Sequence, residues 1–175
     1  MRYLFLIAAV LLLNGCQNND GQLDHLNALK KEFLSAIFES EVEDGPFHFN
    51  YQIRTVFFSK EIVSLFGEFH EYINLPHGRS CYEGKTFCKM NGQFNEIAIE
   101  DLFVSPQQKE FIRSFCEQDL KKQGISYFSG NDPLRTKLEQ EDIRTFVVDD
   151  KSLIVIFQPY VVGGWADGPF LVKIP

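Results

Sequence analysis

Residues 146–175 read FVVDDKSLIVIFQPYVVGGWADGPFLVKIP, and the reading of this stretch decides the fold. Val147-Val148 precede a turn signal at Asp149-Asp150-Lys151, and a second apolar run follows from Leu153 to Phe157. That run is hydrophobic on both parities, so it should form a central strand covered on both faces. Pro159 cannot donate to a strand ladder and marks the strand's end or an edge, while Gly163, Gly164 and Gly168 permit a sharp reversal. Phe170, Val172 and Ile174 then alternate with Leu171 and Lys173, as a closing strand with one face on a core does. The stretch predicts a hairpin whose loop presents Trp165 and Asp167.

Around it, 175 residues suffice for one domain and not comfortably for two. Hydrophobic residues make up 45% and aromatic residues 14%, with 18 Phe against 1 Trp, which argues for a packed interior and against disorder. The formal charge of -7 disfavours nucleic acid and anionic lipid head groups as partners and favours a cationic one.

Met1 to Cys16 reads MRYLFLIAAVLLLNGC. Arg2 precedes an apolar run that is too short to span a bilayer permanently but suits a secretory signal. Leu13-Asn14-Gly15-Cys16 resembles a lipobox, which implies acylation of Cys16, cleavage after residue 15 and a membrane tether. Residues 16–22 read as a polar tether and 23–175 as the folded domain. Gln17, where inner-membrane lipoproteins of diderm hosts carry Asp, favours the outer membrane, facing the periplasm.

Leu23, Leu26, Leu29, Phe33 and Ile37 recur at helical spacing, with Asp24 as the expected N-cap. From Phe47 the period changes to two: Phe47, Phe49, Tyr51 and Ile53 alternate with His48, Asn50, Gln52 and Arg54, which predicts a half-buried strand. Glu61 to Asn74 reads as a further strand with a bulge or bend at Gly67, and Asn91-Gly92 between two extended runs predicts a type I′ hairpin. Ser105-Pro106 open a second helix whose apolar stripe is Phe111, Ile112, Phe115, Cys116 and Leu120, ending near Gly124. A short helix is expected over 134–141. The sum is a single α+β domain, an antiparallel sheet covered by two main helices, with the final strands as the surface on which the helices condense.

The final segment, Phe-x-Val then Leu-Ile-Val-Ile-Phe-x-Pro-Tyr, a Gly/Ala loop and Phe-x-Val-x-Ile-Pro, resembles the end of the RsiV-type extracytoplasmic domain. Ile99-Glu100-Asp101-Leu102-Phe103 and His77-Gly78 resemble further stretches of that family, although Leu75 and Pro76 depart from it. This domain of unknown function occurs in certain anti-sigma factors, in PdaC-type deacetylases and alone in lipoproteins. The resemblance implies a place in the cell envelope, and a cell-wall component or a wall-acting protein such as lysozyme as ligand. It supplies no reaction.

If Cys16 is acylated, Cys81, Cys88 and Cys116 remain in an oxidising compartment, where one pair and one left-over thiol are expected. Placing Gly84-Lys85 at a two-residue turn sets Cys81 opposite Cys88, the pairing expected ahead of pairs with Cys116 or no bond. Cys116, on an apolar helix face, reads as a core residue. His70, His77, Cys81 and Cys88 lack the close spacing of structural zinc ligands, so no metal or cofactor is expected. Asp149, Asp150, Asp167, Glu139, Glu141 and Asp142 could in principle pair as catalytic carboxylates, but no spacing selects two of them, and acidic doublets are usually solvated turns. There is no Gly-x-Ser-x-Gly, His-Glu-x-x-His or phosphate loop, so no catalytic residue is assigned and the chain is read as a non-enzyme. Tyr160, Trp165 and Asp167, with His77, are the candidate binding residues: an aromatic and acidic loop of the sort that anchors a partner. A peptidoglycan-modifying hydrolase and a structural envelope lipoprotein are the alternatives.

Overall fold

The computed structural model describes residues 20–41, 48–72, 79–125, 137–159, 161–162 and 168–175. The chain runs α1 (Asp20–Glu41), β1 (His48–Phe58), β2 (Ile62–Tyr72), β3 (Arg79–Met90), β4 (Gln93–Ile97), α2 (Pro106–Lys122), β5 (Thr145–Val148), β6 (Leu153–Phe157) and β7 (Phe170–Ile174). Short 3-10 turns stand at Ile99–Leu102 and Gln140–Asp142. The α+β class holds, but the strands divide into two antiparallel sheets, ordered β1-β2-β3-β4 and β5-β6-β7.

The larger sheet is built from hairpins whose turns are written locally. Between β1 and β2, Ser59 Oγ accepts from the Ile62 amide at 2.9 Å, and the Ser59 amide donates to the Ile62 carbonyl at 2.8 Å. Between β3 and β4, Asn91 (φ 53) and Gly92 (φ 86) both adopt the left-handed region, as a type I′ turn requires. Alternation along β2 then assigns its faces. Val63, Leu65 and Phe69 on one side meet Leu26, Leu29 and Phe33 of α1, three helix positions that share a stripe. Burying each of these side chains contributes roughly 1.5–3 kcal/mol. The helix starts at Asp20, so Asp24 lies inside it and is not its N-cap.

Gly67 does not mark a bulge. It sits in regular register opposite Ile53 and Glu83, and the register break falls between Thr55 and Phe57. What Gly67 provides is room: a Cβ there would meet the Phe69 ring at 2.6 Å and the Phe33 ring at 3.2 Å.

The other face of β2 and β3 carries the second sheet. Phe66 and Tyr82 pack with Val147 and Ile156, and Ile154 closes over them. β5 crosses β3 at Gly84, where an added Cβ would stand 2.8 Å from the Phe146 carbonyl oxygen. It also crosses β2 at Ser64, whose buried Oγ accepts from the Val148 amide at 3.1 Å and is 3.0 Å from Thr86 Oγ1. A strand-interior glycine of this kind marks the close approach of another backbone.

This placement overturns the turn expected at Gly84-Lys85. β3 is one unbroken 12-residue strand, and Cys81 and Cys88 lie seven residues apart on it, facing Phe69 and Ile62 of β2 respectively. Seven steps of about 3.3 Å separate them by roughly 23 Å, on opposite faces of the sheet. A disulfide needs Cα atoms within about 7 Å. No bond joins them, and none could form without dismantling the strand.

As expected, β6 is the central strand of its sheet and is covered on both sides. Ile156 faces the larger sheet, while Val155 and Phe157 face α2 through Ile112, Cys116 and Leu120. The layers therefore run α1, four-stranded sheet, three-stranded sheet, α2. Only α2 condenses on the C-terminal strands; α1 packs on the far layer. α2 opens as expected, with Ser105 Oγ accepting from the Gln108 amide at 3.3 Å, and Gly124 follows its end at φ 94. Its stripe is narrower than the periodicity suggested: Phe111 is 60% exposed. Of the short helix expected over 134–141, the described part is a 3-10 turn at Gln140–Asp142, held by Asp142 Oδ2 accepting from the Glu139 amide at 2.8 Å.

Candidate functional site

The candidate site is built outward from Gln158, the residue that follows β6. β4 pairs with β3 only from Thr86 to Met90, so among the described residues the main chain of Tyr82 has no strand neighbour on that side. The Gln158 side-chain amide takes the neighbour's place: Oε1 accepts from the Tyr82 amide at 3.0 Å, and Nε2 donates to the Tyr82 carbonyl. One side chain thus satisfies both backbone groups and blunts an open edge. The Val161 amide donates to the Gln158 carbonyl at 3.2 Å, and Pro159 and Val162 are buried. Gly168, at φ 71, leads into β7.

Tyr160, Trp165 and Asp167 lie outside the described residues, as do His77 and Cys16. The strand ends that flank them are nevertheless placed. β2 ends at Tyr72 and β3 begins at Arg79, three positions or about 10 Å along β3 from Tyr82, where Gln158 is tied. The chain thus enters both candidate segments at one end of the sandwich.

At that end the sheet face carries a polar shelf. Register aligns Arg54 with Phe66, Gln52 with Glu68 and Asn50 with His70, and His70 in turn with Ser80, so all these side chains share the face that bears Tyr82. The Arg54 guanidinium stands 4.5 Å from the Phe66 ring centroid, a cation–π contact. His70 Nδ1 is 2.9 Å from Ser80 Oγ, and its ring meets Tyr82 edge-on, with centroids 6.5 Å apart. Side chains that can donate and accept hydrogen bonds are thus fixed on three strands beside an aromatic floor, an arrangement that can orient a polar ligand. Sequence reasoning did not gather this group. Its only trace was the polar parity of β1, Asn50, Gln52 and Arg54, which read as a solvent face.

The candidate carboxylates that are described lie in turns. Asp149 accepts from Lys173 Nζ at 2.6 Å and from the Lys151 amide at 2.8 Å. Burial pushes its carboxyl up, but Lys173 and the turn amides outweigh this and leave it below the usual carboxylate range. Glu139 and Asp142 cap their 3-10 turn, and Asp150 stands 4.0 Å from Lys151. Glu117 likewise sits below the usual range: burial raises it, but Lys121, the Leu138 amide and Arg113 together prevail. Arg113 also donates to the Leu138 carbonyl at 3.0 Å, tying α2 to the segment before β5.

Burial pushes the Cys116 thiol up to about 12, with Asp119 adding to the effect, and pushes Cys88 upward too, with Glu61 adding. Neither is primed as a thiolate. Cys81 Sγ donates to Glu83 Oε1 at 3.7 Å. Among the described residues no group of three or more His, Cys, Asp or Glu is placed to hold a metal ion.

Residues 100–175 match the family model described as Protein of unknown function (DUF3298). Two solved structures share the fold. One, a member of the DUF3298 family from Bacteroides fragilis, is 15% identical with a TM-score of 0.55, covering 87% of this chain and 60% of that one. The other, a DUF3298 family protein from Pseudomonas aeruginosa, is 12% identical with a TM-score of 0.53, covering 86% and 65%. The chain therefore spans less than two thirds of either relative's length. No curated protein matches it. The family match covers the carboxyl-terminal part, from the 3-10 turn through α2 to the closing strand, and agrees with the resemblance that the final strands carry to a domain of unknown function.

Proposed function

We propose that this chain is a lipid-tethered cell-envelope module that binds a cell-wall component or a protein acting on the wall, without turning it over. The observation that carries the reading is the N-terminal MRYLFLIAAVLLLNGC, an apolar secretory run ending at an acylatable Cys16. The polar shelf of Arg54, Glu68, His70 and Ser80 supports it, because rigid strands hold these groups beside the entries to the segments carrying His77 and Tyr160, Trp165 and Asp167. The net charge of -7 would steer a cationic partner such as a muramidase. Gln17 favours the outer membrane of a diderm host, facing the periplasm. The test is saturable binding of the chain to purified peptidoglycan sacculi and to a cationic muramidase, repeated with Trp165→Ala, Asp167→Ala and Arg54→Ala. Binding unchanged in all three removes this surface as the site, and binding of neither ligand removes the reading. Firm membrane retention of Cys16→Ser would remove the tether.

One contact favours a second reading, the wall-modifying hydrolase. The 2.9 Å approach of His70 Nδ1 to Ser80 Oγ is within the range of a nucleophile and its base. Soluble products released from sacculi by the wild-type chain, and lost in Ser80→Ala, would replace binding with turnover.

A further inference from the structure

Arg54 and Glu68 are opposite charges one rung apart on β1 and β2, since Arg54 faces Phe66 and Gln52 faces Glu68. Side chains on such a diagonal are within reach of each other. Lys85 of β3 and Glu96 of β4, likewise one rung apart, bridge at 2.8 Å, and Lys173 and Asp149 bridge at 2.6 Å. Among the described residues, by contrast, neither Arg54 nor Glu68 joins an ion pair or a side-chain hydrogen bond. The exposed guanidinium lies on the Phe66 ring instead, and Glu68 stands half-buried between Tyr82 on β3 and Gln52 on β1. A partly buried carboxylate without a partner gives up hydration and recovers nothing for it from the fold. Two rigid strands thus hold a donor fork and an acceptor side by side, each with its charge unmatched.

We infer that this pair takes an amino-acid zwitterion, an ammonium and a carboxylate on one carbon, as carried by the diamino acid of a cell-wall peptide stem. The carboxylate lies on Arg54 and the ammonium on Glu68. Two charge-assisted bonds of about 2.8 Å, and about 3 Å between the charged atoms of one amino acid, reach roughly 8 Å, the diagonal spacing of two rungs. An anion alone would meet Glu68 and a cation alone would meet Arg54, so each charge of the site rejects a ligand that satisfies the other one alone. A neutral glycan satisfies neither. The next rung, Asn50, His70 and Ser80, offers donors and acceptors to the amide groups that continue a peptide. The inference rests on the binding reading above and names the ligand of that surface.

Titration of the full chain in mild non-ionic detergent with meso-diaminopimelic acid, followed by amide chemical shifts, should saturate with Kd below about 10 mM. Pimelic acid, which keeps both carboxylates, and cadaverine, which keeps both ammonium groups, should each bind at least about tenfold more weakly. Arg54→Gln and Glu68→Gln should each weaken meso-diaminopimelic acid at least about tenfold. Glu68→Gln keeps the shape of the side chain and removes no bond of the fold, so its circular-dichroism melt should match wild type. Excess meso-diaminopimelic acid should release the chain from sacculi, and N-acetylglucosamine should not. Pimelic acid or cadaverine binding as tightly as meso-diaminopimelic acid, or affinity unchanged in Glu68→Gln, overturns the inference. Sacculi that retain the chain despite excess meso-diaminopimelic acid, and retain Glu68→Gln equally, overturn it and leave the binding module standing. Binding to neither sacculi nor a muramidase removes the module and this inference with it.

Discussion

Replacing Gly84 by Ala adds a single methyl group where the two sheets touch. The new Cβ would lie 2.7 Å from Ile156 Cδ1, 2.8 Å from the Phe146 carbonyl oxygen and 3.0 Å from its carbon. Ile156 can rotate its terminal methyl, but the Phe146 carbonyl belongs to β5 and moves only with its backbone. To restore ordinary contact, β5 must lift by several tenths of an ångström. Lifting it also stretches the neighbouring bond from the Val148 amide to Ser64 Oγ, now 3.1 Å. Overpacking of this kind costs about 1–3 kcal/mol. For a domain of this size that lowers Tm by roughly 2–12 °C. Urea and thermal unfolding followed by circular dichroism measure it, with Gly21→Ala as the control. Gly21 lies in α1 with nothing within 4 Å of an added Cβ, so helix propensity alone should hold or raise stability there by up to about 1 kcal/mol. A Gly84→Ala melt superimposable on wild type, or a Gly84→Val melt no worse than that of Gly84→Ala, would refute the close crossing of the sheets.

Three further outcomes follow from the same contacts. Ser64→Ala strips a buried acceptor from the Val148 amide and a partner from Thr86, so it should cost about 1–3 kcal/mol; adding Thr86→Val should cost less than the sum of the two single changes, because the orphaned hydroxyl is then gone. Alkylation at pH 8 without reductant should label Cys81 promptly and Cys116 only after denaturation, with intact mass showing no Cys81–Cys88 bond; the Cys116 thiol, at about 12, is ionised there in roughly one molecule in ten thousand. Asp149→Asn should flatten acid unfolding: the folded carboxyl lies below its unfolded value, so its stabilisation is present above about pH 4 and lost as pH falls through the folded value, and Lys173 is exposed enough to keep the effect near about 0.5–1 kcal/mol.

Much of this chain was legible from residue order. The change of period at Phe47, the doubly apolar run Leu153–Phe157, the Asn91-Gly92 turn and the Ser105-Pro106 helix start all report local preferences, and a local preference is visible in a window of a few residues. Of the candidate site, the Gln158 anchor and the polar shelf were not visible. Gln158 reads as an ordinary strand-end residue until Tyr82, 76 positions away, is found lacking a strand neighbour. Arg54, Glu68, His70 and Ser80 come from three strands, and only register sets them side by side. Cys81 and Cys88 were misjudged because glycine permits both a turn and a close crossing, and Gly84 serves the second.

By itself, then, the sequence determined most of the helices and strands, and which face of most of them is apolar. The tertiary structure alone decided that the seven strands among the described residues split into two sheets, that α1 and α2 lie on opposite outer layers, and that Phe111 remains in solvent. Periodicity records that a face must be covered and says nothing of what covers it. The choice among possible covers rests on contacts between residues far apart in the chain, such as the one that leaves no room for a methyl group on Gly84.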